Sequence, residues 1–284
     1  MFKSSYHLFN AFGIPIKADA SAIFLVLYLL WAMGSIQQGL IYALVLVVSI
    51  VLHELAHSLT AVLFGGRVRD ITIQFLGGCA AISQMPRKPH QELLMAAAGP
   101  AMSFALAGAA LGGMVGIGHS LFFQVMFLTN IMLGTFNLLP AFPMDGGRIL
   151  RASLQFSMSK VRATWIASRI GKGLAVFMIA SSVLNFFGLK ISVPHDSGIV
   201  GTMFYYFLAG GGLFRFLIGL MIYQSAEAEY RMVQFEYQGS RPRNPFQGFG
   251  FGRKSEPPPI DDQVIVSPPP YEKGRGERSD IFRE

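Results

Sequence analysis

Apolar residues in this chain arrive in long runs rather than at the spacing of surface helices or strands. Short polar or glycine-rich turns separate them. Residues 20–34, 44–64, 93–117, 121–139, 173–189 and 199–223 each carry such a run. Stretches of about 20 apolar residues match the hydrocarbon thickness of a bilayer. The pattern predicts an all-α polytopic membrane protein, with about six transmembrane helices over residues 20–225. Between the second and third runs the period changes. Val68, Asp70 and Thr72 alternate with Ile71, Ile73 and Phe75, and Gly77-Gly78 follow, which predicts a small membrane-associated β-hairpin. Such a hairpin either caps the helix bundle or offers, through Ile71, Ile73 and Phe75, an edge strand for a substrate backbone. Residues 1–19 mix aromatics, Pro15 and two lysines, as in a leader lying along the membrane surface. Residues 226–284 form a cytosolic tail. From Gly239 onward it holds 8 of the 15 prolines and has little to bury, so it is expected to be mostly disordered. Pro268-Pro269-Pro270-Tyr271 is spelled like a WW-domain ligand, although the sequence names no tail-binding partner.

Composition strengthens the membrane assignment. Of 284 residues, 52% are hydrophobic and 14% charged, with a mean hydropathy of +0.46. Soluble domains carry roughly a quarter charged residues. The net charge of +7 is unevenly spread: residues 1–226 hold 14 basic and 6 acidic side chains, residues 227–284 hold 9 and 10. Arg67, Arg69, Arg87 and Lys88 fall in one loop, and Arg148, Arg151, Lys160, Arg162, Arg169 and Lys172 in another. The turns at 35–39 and 118–120 have no basic residue. This bias reads as topology, not as a nucleic-acid surface. By the positive-inside rule it puts the charged loops and both termini in the cytosol. The single cysteine, Cys79, excludes an internal disulfide.

The second apolar run contains the candidate chemistry. Within LVLVVSIVLHELAHSLTAVLF, His53 and His57 stand at i and i+4 and share one helix face, able to point two imidazoles at one ion. Glu54 sits about 100° around the helix, where it can reach a water on that ion without ligating it. Ionisable groups inside a membrane helix are costly and by default functional. A catalytic zinc takes three protein ligands and leaves one position open. Ahead of the acidic tail there are six carboxylates, and Asp145 is the one set just beyond the fourth run. Pro140 and Pro143 stop the helix before it, and Gly146 and Gly147 permit a tight return. On local sequence alone Asp145 reads either as the third ligand or as the cap of a helix starting near Arg148.

HELAH at 53–57, followed by Asn137-Leu-Leu-Pro140-Ala-Phe-Pro143-Met-Asp145-Gly146, resembles the site-2 protease family of intramembrane zinc metalloproteases, peptidase family M50. Within it the chain is similar to the compact bacterial branch that includes sporulation sigma-factor processing enzymes. The resemblance implies one zinc ion held by His53, His57 and Asp145, with Glu54 as catalytic base. It also implies that Asn137 helps to hold substrate or the oxyanion. The implied activity is a zinc metalloendopeptidase cutting membrane-protein substrates in or near their transmembrane segments, as in regulated intramembrane proteolysis. The implied setting is the lipid bilayer of a bacterial inner membrane. No PDZ-like insertion separates the two motifs, and a proline-rich tail stands where several relatives carry paired CBS modules. Two rivals share features with this chain. A prenyl-processing protease would need a later glutamate ligand, and none lies between Glu92 and Glu227. A metal-binding membrane transporter without peptidase activity also suits six spans, but it would spread ligands over several helices.

Overall fold

A computed structural model describes residues 5–74, 77–84, 88–189 and 212–239. Among these residues a mostly helical membrane fold carries a small four-stranded sheet. Two strands come first, β1 (Ser5–Ala11) and β2 (Ile14–Asp19), then helices α1 (Ala20–Ala32) and α2 (Ile36–Leu63). Strands β3 (Arg67–Gln74) and β4 (Gly77–Gln84) follow, then α3 (Pro89–Gly116), α4 (Leu121–Asn137), α5 (Asp145–Leu154), α6 (Lys160–Phe186) and α7 (Leu213–Gly239). Three helices, α2, α3 and α6, are long and apolar enough to cross a membrane, and α1 and α4 are shorter apolar helices. The sixth expected span lies partly outside the described residues. Its described part belongs to α7, which continues beyond Tyr223 to Gly239. Residues 240–284 of the expected tail also fall outside. α3 runs unbroken through Pro100.

The expected hairpin is present as β3 and β4, but it is half of a larger sheet. Strand order is β1-β2-β3-β4, with antiparallel outer pairs and a parallel β2–β3 pair. Parallel neighbours need a long crossover, and here α1 and α2 supply it. Residues 5–19, expected as a leader along the membrane surface, form β1 and β2 of this sheet. Ile14 and Ile16 alternate with Pro15 and Lys17 and bury one face, where they join Ala22, Val51, Leu55, Ile71 and Ile73 in one apolar cluster. Ile71 and Ile73 also correct the edge-strand expectation. Ile71 pairs with Ile16 and Ala80, and Ile73 with Ala18 and Gly78, so β3 has neighbours on both sides. Phe75 lies outside the described residues. Among the described residues, the strand with a free edge on this side is β4.

Beyond α4 the chain turns at Leu138–Met144 and enters α5, which packs with α6 and α7. Ala141, Met144, Ala175, Met178 and Ile222 form the apolar contact there. Small residues let these backbones approach. A Cβ at Gly219 would lie 2.8 Å from Ile179 Cγ1, and one at Gly171 would lie 3.1 Å from the Ala141 Cα. Close backbone packing is how membrane helices associate, since lipid is as apolar as their side chains.

One charged cluster pins the N-terminal hairpin to β3. Lys17 Nζ donates to Asp70 Oδ2 at 2.8 Å and Arg69 Nε donates to the same oxygen at 3.1 Å. Burial pushes the Asp70 carboxyl up, but these two cations outweigh it and hold the group below its ordinary value. A folded pKa below the unfolded one stabilises the sheet above about pH 4, and the effect fades as pH falls toward the folded value. Asp70→Asn is expected to lower stability at neutral pH by about 1.5–3 kcal/mol, the usual worth of a hydrogen bond to a charged group. The variant should also lose less stability than the wild type between pH 5 and 3, read by thermal melts in detergent. An identical acid response in both proteins would remove this ion pair as the junction.

Candidate metal centre

α2 is held in register from above by a buried polar contact. Asn130 Nδ2, on α4, donates to Ser49 Oγ at 2.9 Å, one helical turn before His53. Below it, His53 and His57 face α3. His57 Nδ1 donates to the Met95 carbonyl at 2.7 Å, and His53 Nδ1 is 2.9 Å from Ser103 Oγ. A carbonyl can only accept, so the neutral His57 ring carries its proton on Nδ1 and presents a bare lone pair at Nε2. The Ser103 hydroxyl can accept from His53 Nδ1 and leave its Nε2 bare in the same way. Both Nε2 atoms lie 3.1 Å from Asp145 Oδ2 and 3.2 Å from each other.

Asp145 reaches this point because the chain breaks before it. Gly146 and Gly147 are required by contact: a Cβ at Gly146 would lie 2.2 Å from the Leu138 carbonyl oxygen, and one at Gly147 would lie 2.7 Å from the Ala141 carbonyl carbon. Asp145 is the first residue of α5; its cap position is Met144, and no side chain caps that helix end. The Asp145 carboxylate faces the two histidines. All three side chains are buried, and their ligand atoms form a group able to hold a metal ion.

The donor set fits zinc. Two ligand atoms at 2.0–2.2 Å from one tetrahedral ion lie about 3.3–3.6 Å apart, and the three separations here, 3.1, 3.1 and 3.2 Å, fall just below the short end of that range. With both rings carrying their protons on Nδ1, three acceptor atoms face one another across a buried space, an arrangement that a cation satisfies. Backing of the ligating histidines by Met95 and Ser103 is the arrangement that fixes tautomer and ring orientation at metal sites.

Glu54 projects from an adjacent face of α2 toward β4. A Cβ at Gly78 would lie 2.5 Å from Glu54 Cγ, so the edge strand passes directly over this carboxylate. Arg148, three residues after Asp145 on α5, is within electrostatic reach of both Glu54 and Cys79. Asn137 ends α4 and donates through Nδ2 to the Leu133 carbonyl at 2.9 Å, half-buried. Ile71 and Ile73 belong to the sheet core and do not line the cluster. Met95, Gly99, Ser103, Gly78 and Arg148 carried no metal or catalytic signature in the sequence. The one available signal was spacing: Met95, Gly99 and Ser103 recur every four residues and so share one face of α3.

Gly99 is the tightest of these. A Cβ there would lie 2.1 Å from His57 Nε2 and 2.6 Å from His53 Nε2. Gly99→Ala is expected to abolish metal binding while the protein still inserts, since alanine is a better helix former than glycine. Metal content of purified protein, measured beside its circular dichroism, checks this. A Gly99→Ala protein with full metal occupancy would show that α3 does not press on the ligands.

Three comparisons bear on this geometry. The family model described as Peptidase family M50 matches residues 41–117 and 109–179. A zinc metalloprotease of Methanocaldococcus jannaschii is 33% identical over 245 residues, which cover 82% of this chain and 62% of that protein. Stage IV sporulation protein FB of Bacillus subtilis is 29% identical over 126 residues, 44% of each chain. The chain thus spans less than two thirds of the length of these curated relatives. The solved structure of the site-2 protease from Methanocaldococcus jannaschii aligns with a TM-score of 0.55 at 32% identity, over 80% of this chain and 96% of that one. Motif, fold and metal-ready cluster agree with these matches, and the chain belongs to peptidase family M50, the site-2 protease family.

Proposed function

We propose that this protein is an intramembrane zinc metalloendopeptidase. It hydrolyses peptide bonds within or near the transmembrane segments of other membrane proteins. The observation that carries this is the convergence of His53 Nε2, His57 Nε2 and Asp145 Oδ2 on an apolar helix, with the Glu54 carboxylate alongside. A transporter would need ligands along a path, and among the described residues His53, His57 and Asp145 form the one such cluster.

His53, His57 and Asp145 would hold the zinc ion. When bound there, zinc supplies a Lewis acid for the peptide carbonyl and brings the pKa of a water to about 7. Glu54 accepts a proton as the water oxygen bonds to the carbonyl carbon, then delivers it to the amide nitrogen as the C–N bond breaks. Water is consumed, and a carboxyl and an amine are released. Asn137 keeps one amide N–H beyond the one spent on Leu133, and that donor would steady substrate or the developing oxyanion. The Phe64 end of α2 lies toward the basic loops, and His57 and His53 sit about 10 and 17 Å inside it at roughly 1.5 Å per residue. With both termini cytosolic and the protein in a bacterial cell membrane, cleavage falls in the cytosolic half of the bilayer.

A substrate helix hides its carbonyls in its own hydrogen bonds and must unwind to be cut. The unwound strand needs new partners, and the free edge of β4 offers them beside Glu54. Strand addition therefore moves from Ile71 and Ile73 on β3 to residues of β4.

Glu54→Gln is the decisive variant. It preserves size and leaves all three zinc ligands intact, but it cannot take the proton. The expected result is near-stoichiometric zinc with cleavage slowed on the order of 10²–10⁴-fold. Zinc analysis and a cleavage assay on one detergent preparation check both halves. Wild-type cleavage by zinc-loaded Glu54→Gln protein would refute the proposed base. Gly78→Ala should keep zinc as well, yet lower turnover by about 10²-fold by displacing Glu54; unchanged turnover would detach β4 from the site.

A further inference from the structure

The most heavily connected charge among the described residues is not in the metal cluster. Arg151 lies on α5, six residues after Asp145, with 4% of its surface exposed. Its Nε donates to Glu92 Oε1 at 2.8 Å, and a second guanidinium nitrogen donates to the same carboxylate. The third donates to Glu229 on α7. Gln155 Nε2 completes Glu92 by donating to Oε2 at 3.0 Å. The guanidinium stands over the Phe142 ring, 5.1 Å from its centroid.

Each partner leads to the metal ligands by a short path. Glu92 sits on α3 one turn before Met95, whose carbonyl sets the His57 tautomer. Phe142 is buried in the turn that delivers Asp145. Glu229 belongs to α7, the last described helix, which is tied to α6 by the Lys172–Glu227 and Lys160–Glu236 ion pairs and by the Ser168 hydroxyl donating to the Ala226 carbonyl, but to α5 through Arg151. One buried cation thus clamps α3, which orients a histidine of the cluster, α5, which carries its carboxylate, and α7. Removing it would leave two partly buried carboxylates facing each other without their shared cation, and their repulsion would push the three elements apart.

Resting on the metal-site reading above, we propose that Arg151 is a positioning residue for the metal ligands, and that its bond to Glu229 makes metal binding depend on the docking of α7. The C-terminal helix is then a handle on the catalytic centre. Anything that draws α7 away from α5 weakens the site without touching a ligand.

Cobalt(II) gives a readout independent of cleavage, because its visible absorption reports the geometry and number of ligands. Full-length protein would be stripped of metal and titrated with Co²⁺ in detergent. Partners standing behind metal ligands are typically worth about 10–100-fold in affinity. Glu229→Gln is expected to weaken Co²⁺ binding about tenfold and to alter the absorption band. Arg151→Met should do more, and Arg151→Lys should recover part of the loss. Glu227→Gln is the control: it cuts one of the two α6–α7 ion pairs, Lys172–Glu227, lowers the melting temperature and leaves Co²⁺ affinity and spectrum unchanged. Equal effects of Glu227→Gln and Glu229→Gln would overturn the inference, since general loosening of α7 would then explain both. Wild-type affinity and spectrum in Glu229→Gln would overturn it as well. A wild-type protein giving no Co²⁺ spectrum, or a His57→Ala protein giving the same one, would instead refute the metal-site reading.

Discussion

Because the Met95 carbonyl can only accept, the neutral imidazole of His57 must turn a lone pair toward His53 and Asp145. Those neighbours offer lone pairs of their own at 3.1–3.2 Å. Three acceptors packed together out of water repel one another unless a cation lies among them, and burying such groups unpaired costs several kcal/mol. The hydrogen bonds behind the three side chains thus prepare the cluster for a cation as much as the donor atoms themselves do. Zinc suits the spacing and the mixed nitrogen and oxygen donors.

Holding the acceptors in place requires helices closer together than large side chains allow. Gly99 admits α3 to the imidazoles, Gly78 admits β4 to Glu54, and Gly146 and Gly147 fold α5 onto the turn before it. Each gives up helix or strand propensity in exchange for contact distance. Polar ties then fix the register that close packing alone leaves free: Asn130 to Ser49 above the site, and Arg151 to Glu92 and Glu229 below it. The apolar sheet core around Ile16, Ile71 and Ile73 backs α2 on its remaining side.

Much of the centre was legible in the sequence because its ligands obey local rules. His53 and His57 are related by the helical repeat, and Asp145 stands out as a carboxylate after two prolines and before two glycines. The β3–β4 hairpin was legible by alternation. What escaped depends on contacts distant in sequence. Parallel pairing of Ile16 with Ile71 spans the whole α1–α2 crossover, so neither the four-stranded sheet nor the burial of the β3 edge could be read locally. Ser103, Met95 and Gly99 looked like ordinary small or apolar residues of a packed membrane helix. Their role comes from facing α2, which no spacing within α3 specifies.

Zinc K-edge X-ray absorption on the purified protein measures the first shell directly. The account predicts two imidazole nitrogens at about 2.0–2.1 Å, with the remaining ligands oxygen. A sulfur scatterer, which only Cys79 or a methionine could supply, or a shell without two imidazoles, would contradict the convergence of His53, His57 and Asp145 on one ion.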